Sequence, residues 1–221
     1  MADDRLSIFR APRKDCDAEF TEKRSRFIGS VRIALNADEA AEMIKKFPEL
    51  YPKANHHCWA YRIGGGAALE HCSDAGEPAG TAGRPILGAI KRHELTNTLI
   101  VVTRYFGGIK LGVRGLIDAY KAAAELAIER AGAVEMEFSN ALLLRCGYDY
   151  SKTLSSTLRK WGFSEERVNV EYGAEVVMRL EVPFSMRAEI EAPLSEMAQR
   201  SFLTELRWDE VPLVRERWRG F

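Results

Sequence analysis

Apolar positions change their spacing several times along this chain, and each change marks an element. From Ala18 to Leu35 they alternate around Phe20, Phe27, Ile28, Val31 and Ile33, which predicts strand, with Glu22-Lys23-Arg24 as a hairpin turn or a bulge. Asn36-Ala37-Asp38-Glu39 then sets a helix cap three residues before a Glu, and Ala40, Met43, Ile44 and Phe47 follow at helical spacing until Pro48 or Pro52. The aromatic-rich run Asn55–Ile63 predicts a strand, Gly64-Gly65-Gly66 a turn, and Ala68–Ser73 the returning strand. Centred on Gly65, that hairpin sets Cys58 opposite Cys72. Arg84-Pro85 opens a helix expected to reach Glu94, because proline at a first helical position forfeits no hydrogen bond. Asn97–Thr103 is a short, almost unbroken apolar run, the mark of a strand buried on both faces. An Ala-rich helix from about Val113 to Arg130 carries Leu116, Ala119, Tyr120 and Ala123 on one face and stops at Gly132.

Beyond Gly132 the pattern changes. Asn140–Gly147 reads as strand, and Ser151–Trp161 as a helix with Ser151 as its cap. Val168–Tyr172 and Glu175–Pro183 read as two strands. Phe184–Arg200 reads as a helix that Pro193 should kink or split, and Leu203–Val211 as a last strand. The order βαββαβ is the ferredoxin-like arrangement, with Trp161, Trp208 and Trp218 packing its sheet against its helices. The chain is therefore expected to be α+β with two domains, residues 1–135 and 136–221.

Composition bounds what such a chain does. At 221 residues, 46% hydrophobic and 29% charged, it can bury two cores and is not disordered. The net charge of +0 excludes a polycation, so any nucleic-acid surface must be local. Residues 84–114 supply a basic segment: Arg84, Lys91, Arg92, Arg104, Lys110 and Arg114 against Glu94 alone. No run of about eighteen apolar residues predicts a membrane span, and the acidic start lacks a secretory core. Four cysteines without close spacing (Cys16, Cys58, Cys72 and Cys146) suggest reduced thiols in cytoplasm.

The chemistry concentrates between Asp74 and Leu116. Glycines at 76, 80, 83, 88, 107, 108, 112 and 115 interleave with Arg84, Arg104, Lys110 and Arg114 around two expected helix starts. Two roles fit them. The helix starts and cations converge on an anion such as phosphate, or the glycines only make turns while Arg104 pairs with Asp74 or Glu77. Asp74, Glu77 and His57 are the candidates for proton transfer, without a nucleophile at a recognisable spacing. His56-His57-Cys58 and His71-Cys72 lack zinc spacing, so no metal or other cofactor is expected. Trp59, Tyr61, Tyr105 and Phe106 either stack bases or fill the core.

Ser25-Arg26-Phe27-Ile28, Ala54–Arg62, Ser73–Leu87 and Val102–Gly112 together resemble the Impact/YigZ family over roughly residues 18–130. The resemblance implies a first domain similar to the second domain of ribosomal protein S-five, and a ferredoxin-like second domain similar to a late domain of elongation factor G. Eukaryotic Impact proteins regulate translation under amino-acid stress by competing for an activator of a kinase, and nucleic-acid or ribosome binding is the usual proposal for bacterial members. Two positions depart from the family pattern. Ala75 replaces a second acid, which weakens a two-carboxylate or metal site, and Arg114 replaces a glycine, which either obstructs a ligand or adds a phosphate contact.

These observations lead to an expected non-catalytic protein that binds RNA or the ribosome and modulates translation. Arg84, Arg104, Lys110 and Arg114 would contact phosphate, Gly107 and Gly108 would permit close approach, and Tyr105 would stack. The alternatives are an enzyme acting on a phosphorylated or nucleotide substrate, and a module that docks a translation-regulatory protein.

Overall fold

The computed structural model describes residues 8–64, 68–209 and 213–217. The chain is α+β and divides into two compact units, one of residues 9–135 and one of residue 8 with 136–221. The Gly65-Gly66 end of the expected glycine turn, Val211 of the expected last strand and Trp218 lie outside the described residues.

A short strand, β1 (Ile8–Pro12), pairs with β7 (Ala133–Cys146), the strand that carries the chain from one unit into the next. In the first unit, β2 (Cys16–Glu22), β3 (Ser25–Ile33), β4 (His56–Ile63), β5 (Leu69–Ser73) and β6 (Thr98–Tyr105) form a sheet in the order β2-β3-β6-β4-β5, antiparallel throughout. Helix α1 (Ala37–Leu50) covers one face, and α2 (Gly83–Arg92) and α3 (Gly112–Ala131) cover the other. The unbroken apolar run of β6 fits this three-layer arrangement. Ile100 and Val102 pack with Ile86 and Ile90 of α2 and Tyr120 and Ala123 of α3, whereas Leu99 and Val101 pack with Phe47 of α1. The small residues of α3 let it approach closely: a Cβ on Gly29 would stand 2.2 Å from the Ala123 carbonyl oxygen.

Local signals placed most of these elements. Asn36 caps α1 as its pattern predicts: the Glu39 amide donates to Asn36 Oδ1 at 2.8 Å, and the Glu39 carboxylate reaches back to accept from Asn36 Nδ2 and the Leu35 amide at 2.8 Å each. Lys23-Arg24 is a true hairpin turn, both residues left-handed at φ 44° and 66°. Pro48 does not end α1; it sits inside the helix, which continues to Leu50. Helix α2 runs two residues earlier than expected, because its start is set by a partner distant in sequence. The β4–β5 register pairs Ala60, not Cys58, with Cys72, so the pairing is shifted from the one expected of a hairpin centred on Gly65.

The second unit continues β7 through α4 (Tyr148–Lys160), a 3-10 turn Glu165–Arg167, β8 (Val168–Tyr172), β9 (Val176–Pro183), α5 (Phe184–Gln199), β10 (Glu205–Trp208) and β11 (Leu213–Glu216). The order β10-β7-β9-β8 is the ferredoxin-like one, with β11 also paired to β7. Leu142, Leu144, Met178 and Leu180 meet Leu154 and Leu158 of α4 and Ile190 and Leu194 of α5, and Trp161 and Trp208 border this core. Ser151 is not the cap of α4: its hydroxyl donates to the Tyr148 carbonyl, and the helix starts after Gly147. Pro193 leaves α5 in one piece, since Ile190 and Leu194 on either side are both anchored in the core.

Strand direction positions the site. β5 and β6 both run antiparallel to β4, so both leave the sheet at the same end, where α2 and α3 begin. Because β3 and β4 run against β6, they start at that end too, which brings the Lys23-Arg24 turn and Asn55-His56 beside the end of β6.

Candidate functional site

The two helix starts at this end are in different states. That of α2 already holds an anion from the chain itself. Asp74 Oδ1 accepts from the Ala82 and Gly83 amides at 2.9 Å each, and Oδ2 from the Gly80 amide at 2.8 Å. Burial works to raise the Asp74 pKa, but these three amides, together with nearby Arg84, outweigh it and hold the carboxyl below its ordinary 3.8. Asp74 is therefore a fixed carboxylate cap and not a proton-transfer group. A carboxyl whose folded pKa lies below the unfolded one stabilises the fold fully above the unfolded value and loses that contribution as pH falls through the folded one. Asp74→Asn is expected to lower stability at neutral pH and to flatten the decline of stability below about pH 4. Urea unfolding of both chains from pH 7 to pH 2 checks this.

Glu77 and Arg104 also turn inward. Arg104 Nη1 donates to Glu77 Oε1 at 2.6 Å, and the two side chains are 6% and 4% exposed. The same oxygen accepts from the Tyr120 hydroxyl at 2.8 Å, and His56 Nε2 lies 3.9 Å away. The expectation that Arg104 meets phosphate is thus corrected: its guanidinium belongs to a buried network that ties the Asp74–Gly83 loop to β6 and α3. Cys58 borders this network. Burial pushes its thiol up to about 12, and its Sγ donates to the Asp74 carbonyl, so it stays protonated. His57 points to the opposite face, as strand alternation requires, with Nδ1 3.0 Å from Thr103 Oγ1. Burial and neighbouring His56 lower its pKa. Asp74, Glu77 and His57 therefore do not share a pocket.

The basic segment is also thinner in space than in sequence. Lys91 pairs with Glu70 at 2.9 Å, Arg92 with Glu125 at 2.8 Å, and Arg114 with Asp118 at 3.1 Å. Arg84 stays exposed beside Asp74. Tyr105 is engaged, with Arg26 5.6 Å from its ring centroid and its hydroxyl donating to the Pro52 carbonyl at 3.3 Å.

What remains open is the loop from β6 into α3. The start of α3 has no side-chain cap, and Phe106, Ile109 and Val113 are 45%, 40% and 62% exposed beside exposed Lys110. Gly107 lies flat on the β2–β3 turn: a Cβ there would stand 2.0 Å from the Arg24 carbonyl oxygen. Exposed Lys23 and Arg24 thereby join the surface, and among the described residues neither they nor Lys110 has a carboxylate partner. No charge count along residues 84–114 could have found Lys23 and Arg24. The charged break Glu22-Lys23-Arg24 between two alternating segments was the available signal.

A family model described as the Impact N-terminal domain matches residues 23–128, which include every residue of this surface. YvyE of Bacillus subtilis, an IMPACT family member, is 35% identical over 71% of this chain and 72% of its own length. This chain belongs to the IMPACT family. Escherichia coli YigZ, another IMPACT family member, is 30% identical over 81% of this chain and 88% of its own length. A solved crystal structure of a hypothetical protein superposes with a TM-score of 0.63 at 27% identity, covering 93% of this chain and 98% of that one. No described helix of this IMPACT family member is long and apolar enough to cross a membrane.

Proposed function

We propose that this IMPACT family protein binds RNA, free or within the ribosome, and modulates translation in the cytoplasm without catalysing a reaction. One surface carries the proposal: the loop of Phe106–Leu111 with the first turn of α3, beside the Lys23-Arg24 turn, where Lys23, Arg24 and Lys110 have no carboxylate partner among the described residues. Unpaired cations at an uncapped helix start suit phosphate. Arg84 and Arg114 are exposed as well, Arg114 beside Asp118, and Gly108 leaves open space in the loop. Binding, and not proton transfer, is the use this geometry favours, since Asp74 and Glu77 are consumed by the fold. Four free thiols accord with a reducing compartment.

The test is sedimentation of the full chain with ribosomal particles, and titration of labelled RNA, across a salt series. Affinity is expected to fall with salt by about 0.7 logarithmic units per decade for each single-strand phosphate contact. Lys110→Ala with Arg84→Ala should weaken it several-fold at low salt. Binding that ignores both salt and these substitutions overturns the proposal. The exposed Phe106, Ile109 and Val113 side chains favour a second use of the same surface, docking a translation-regulatory protein. That use predicts capture of a protein by the wild-type chain, its loss in Ile109→Ser, and no affinity for RNA.

A further inference from the structure

We infer that, given the RNA binding proposed above, the RNA is taken as a single strand, with one unpaired base stacked on Phe106 and adjacent phosphates held by the Lys23-Arg24 turn. Phe106 is 45% exposed, yet its position is set before any ligand arrives. Its amide donates to Asn55 Oδ1 at 2.7 Å, and the Arg104 guanidinium lies 5.4 Å from its ring centroid. Arg104 is itself locked by Glu77 and only 5% exposed, so it backs the ring from inside while the residue as a whole stays half-open. A fixed, half-open ring offers stacking area at little entropic cost. Tyr105, the aromatic expected from the sequence, is less open: it is half-buried, and its hydroxyl donates to the Pro52 carbonyl at 3.3 Å.

The turn supplies the complementary charge. Lys23 and Arg24 both sit in the left-handed region, where Asn-Gly would fit without strain. Both are exposed and unpaired among the described residues, and Glu22 is the acid beside them on the hairpin. A two-residue hairpin requires this geometry at both positions, and it sets the two exposed cations at the tip of the turn. Contact between Gly107 and the Arg24 carbonyl makes turn and ring immediate neighbours. A duplex keeps its base faces inside the stack, so a single protruding ring selects an unpaired base.

Fluorescence anisotropy with a labelled ten-nucleotide oligouridine, and with a duplex RNA of equal length, tests this on the full chain. The single strand should bind better than the duplex. Phe106→Ala should weaken single-strand binding about tenfold or more, with its salt slope and the unfolding midpoint unchanged, and Phe106→Trp should restore it. Lys23→Ala with Arg24→Ala should flatten the salt slope by about 1.4. Equal duplex binding, or salt-dependent RNA binding indifferent to Phe106→Ala, overturns the inference while leaving RNA binding in place. No RNA binding by the wild-type chain overturns both. Retained RNA binding by Phe106→Ala with loss of a captured ribosomal protein makes the ring a protein contact and also overturns the inference.

Discussion

Glu77→Ala will destabilise the first unit by about 3–5 kcal/mol, the largest effect expected of a single substitution here. The change removes the carboxylate from a pair whose side chains are 6% and 4% exposed, leaving the Arg104 charge buried without its partner. It also deprives the Tyr120 hydroxyl of its acceptor. The asymmetry between breaking and replacing such a pair provides the control. Glu77→Leu combined with Arg104→Met removes both charges together and should recover much of the loss. Hydrogen exchange at the β6 amides reads the first unit separately from the second. A loss under about 1 kcal/mol would show that the network is not what holds the Asp74–Gly83 loop.

Gly107→Ala should be damaging for a different reason. The added Cβ would stand 2.0 Å from the Arg24 carbonyl oxygen and 2.1 Å from its carbon, both backbone atoms of a tight turn. Either the loop or the turn must move, at a cost of about 1–3 kcal/mol typical of overpacking. The same displacement parts Lys23 and Arg24 from Phe106, so RNA affinity should drop together with stability. Gly108→Ala is the contrast. Its φ of +84° is strained for alanine, but a Cβ there meets nothing within 4 Å, so the cost is about 1 kcal/mol and the turn stays in place. Thermal unfolding and RNA titration of both variants separate collision from strain. Wild-type behaviour of Gly107→Ala in both assays would remove the turn from the proposed surface.

Much of the fold was legible because its signals are local. The helix cap at Asn36 and Glu39, the alternation through β2 and β3, and the apolar run of β6 each depend on neighbours within a few residues. Misreadings arose where a distant partner decides. Helix α2 starts at Gly83 because Asp74 caps it from nine residues away, not because Pro85 opens it. Of the candidate site, Lys110, Arg84 and Gly107 were found in the sequence, while Lys23 and Arg24 were seen only as a turn. Phe106 was seen, but it could not be ranked above Tyr105, because only the folded chain leaves one exposed and half-buries the other.

By itself, the sequence determined the α+β pattern and the membership of a family whose matching region holds this surface. Tertiary structure alone decided which charges face solvent. Arg104 with Glu77, Arg92 with Glu125 and Lys91 with Glu70 are separated along the chain by 27, 33 and 21 residues. A local count leaves out these partners, whereas ion pairing acts through space and falls off within a few ångströms. Of the six basic residues between positions 84 and 114, folding spends Lys91, Arg92, Arg104 and Arg114 internally or on neighbours, and it raises a new basic edge from a hairpin turn far upstream.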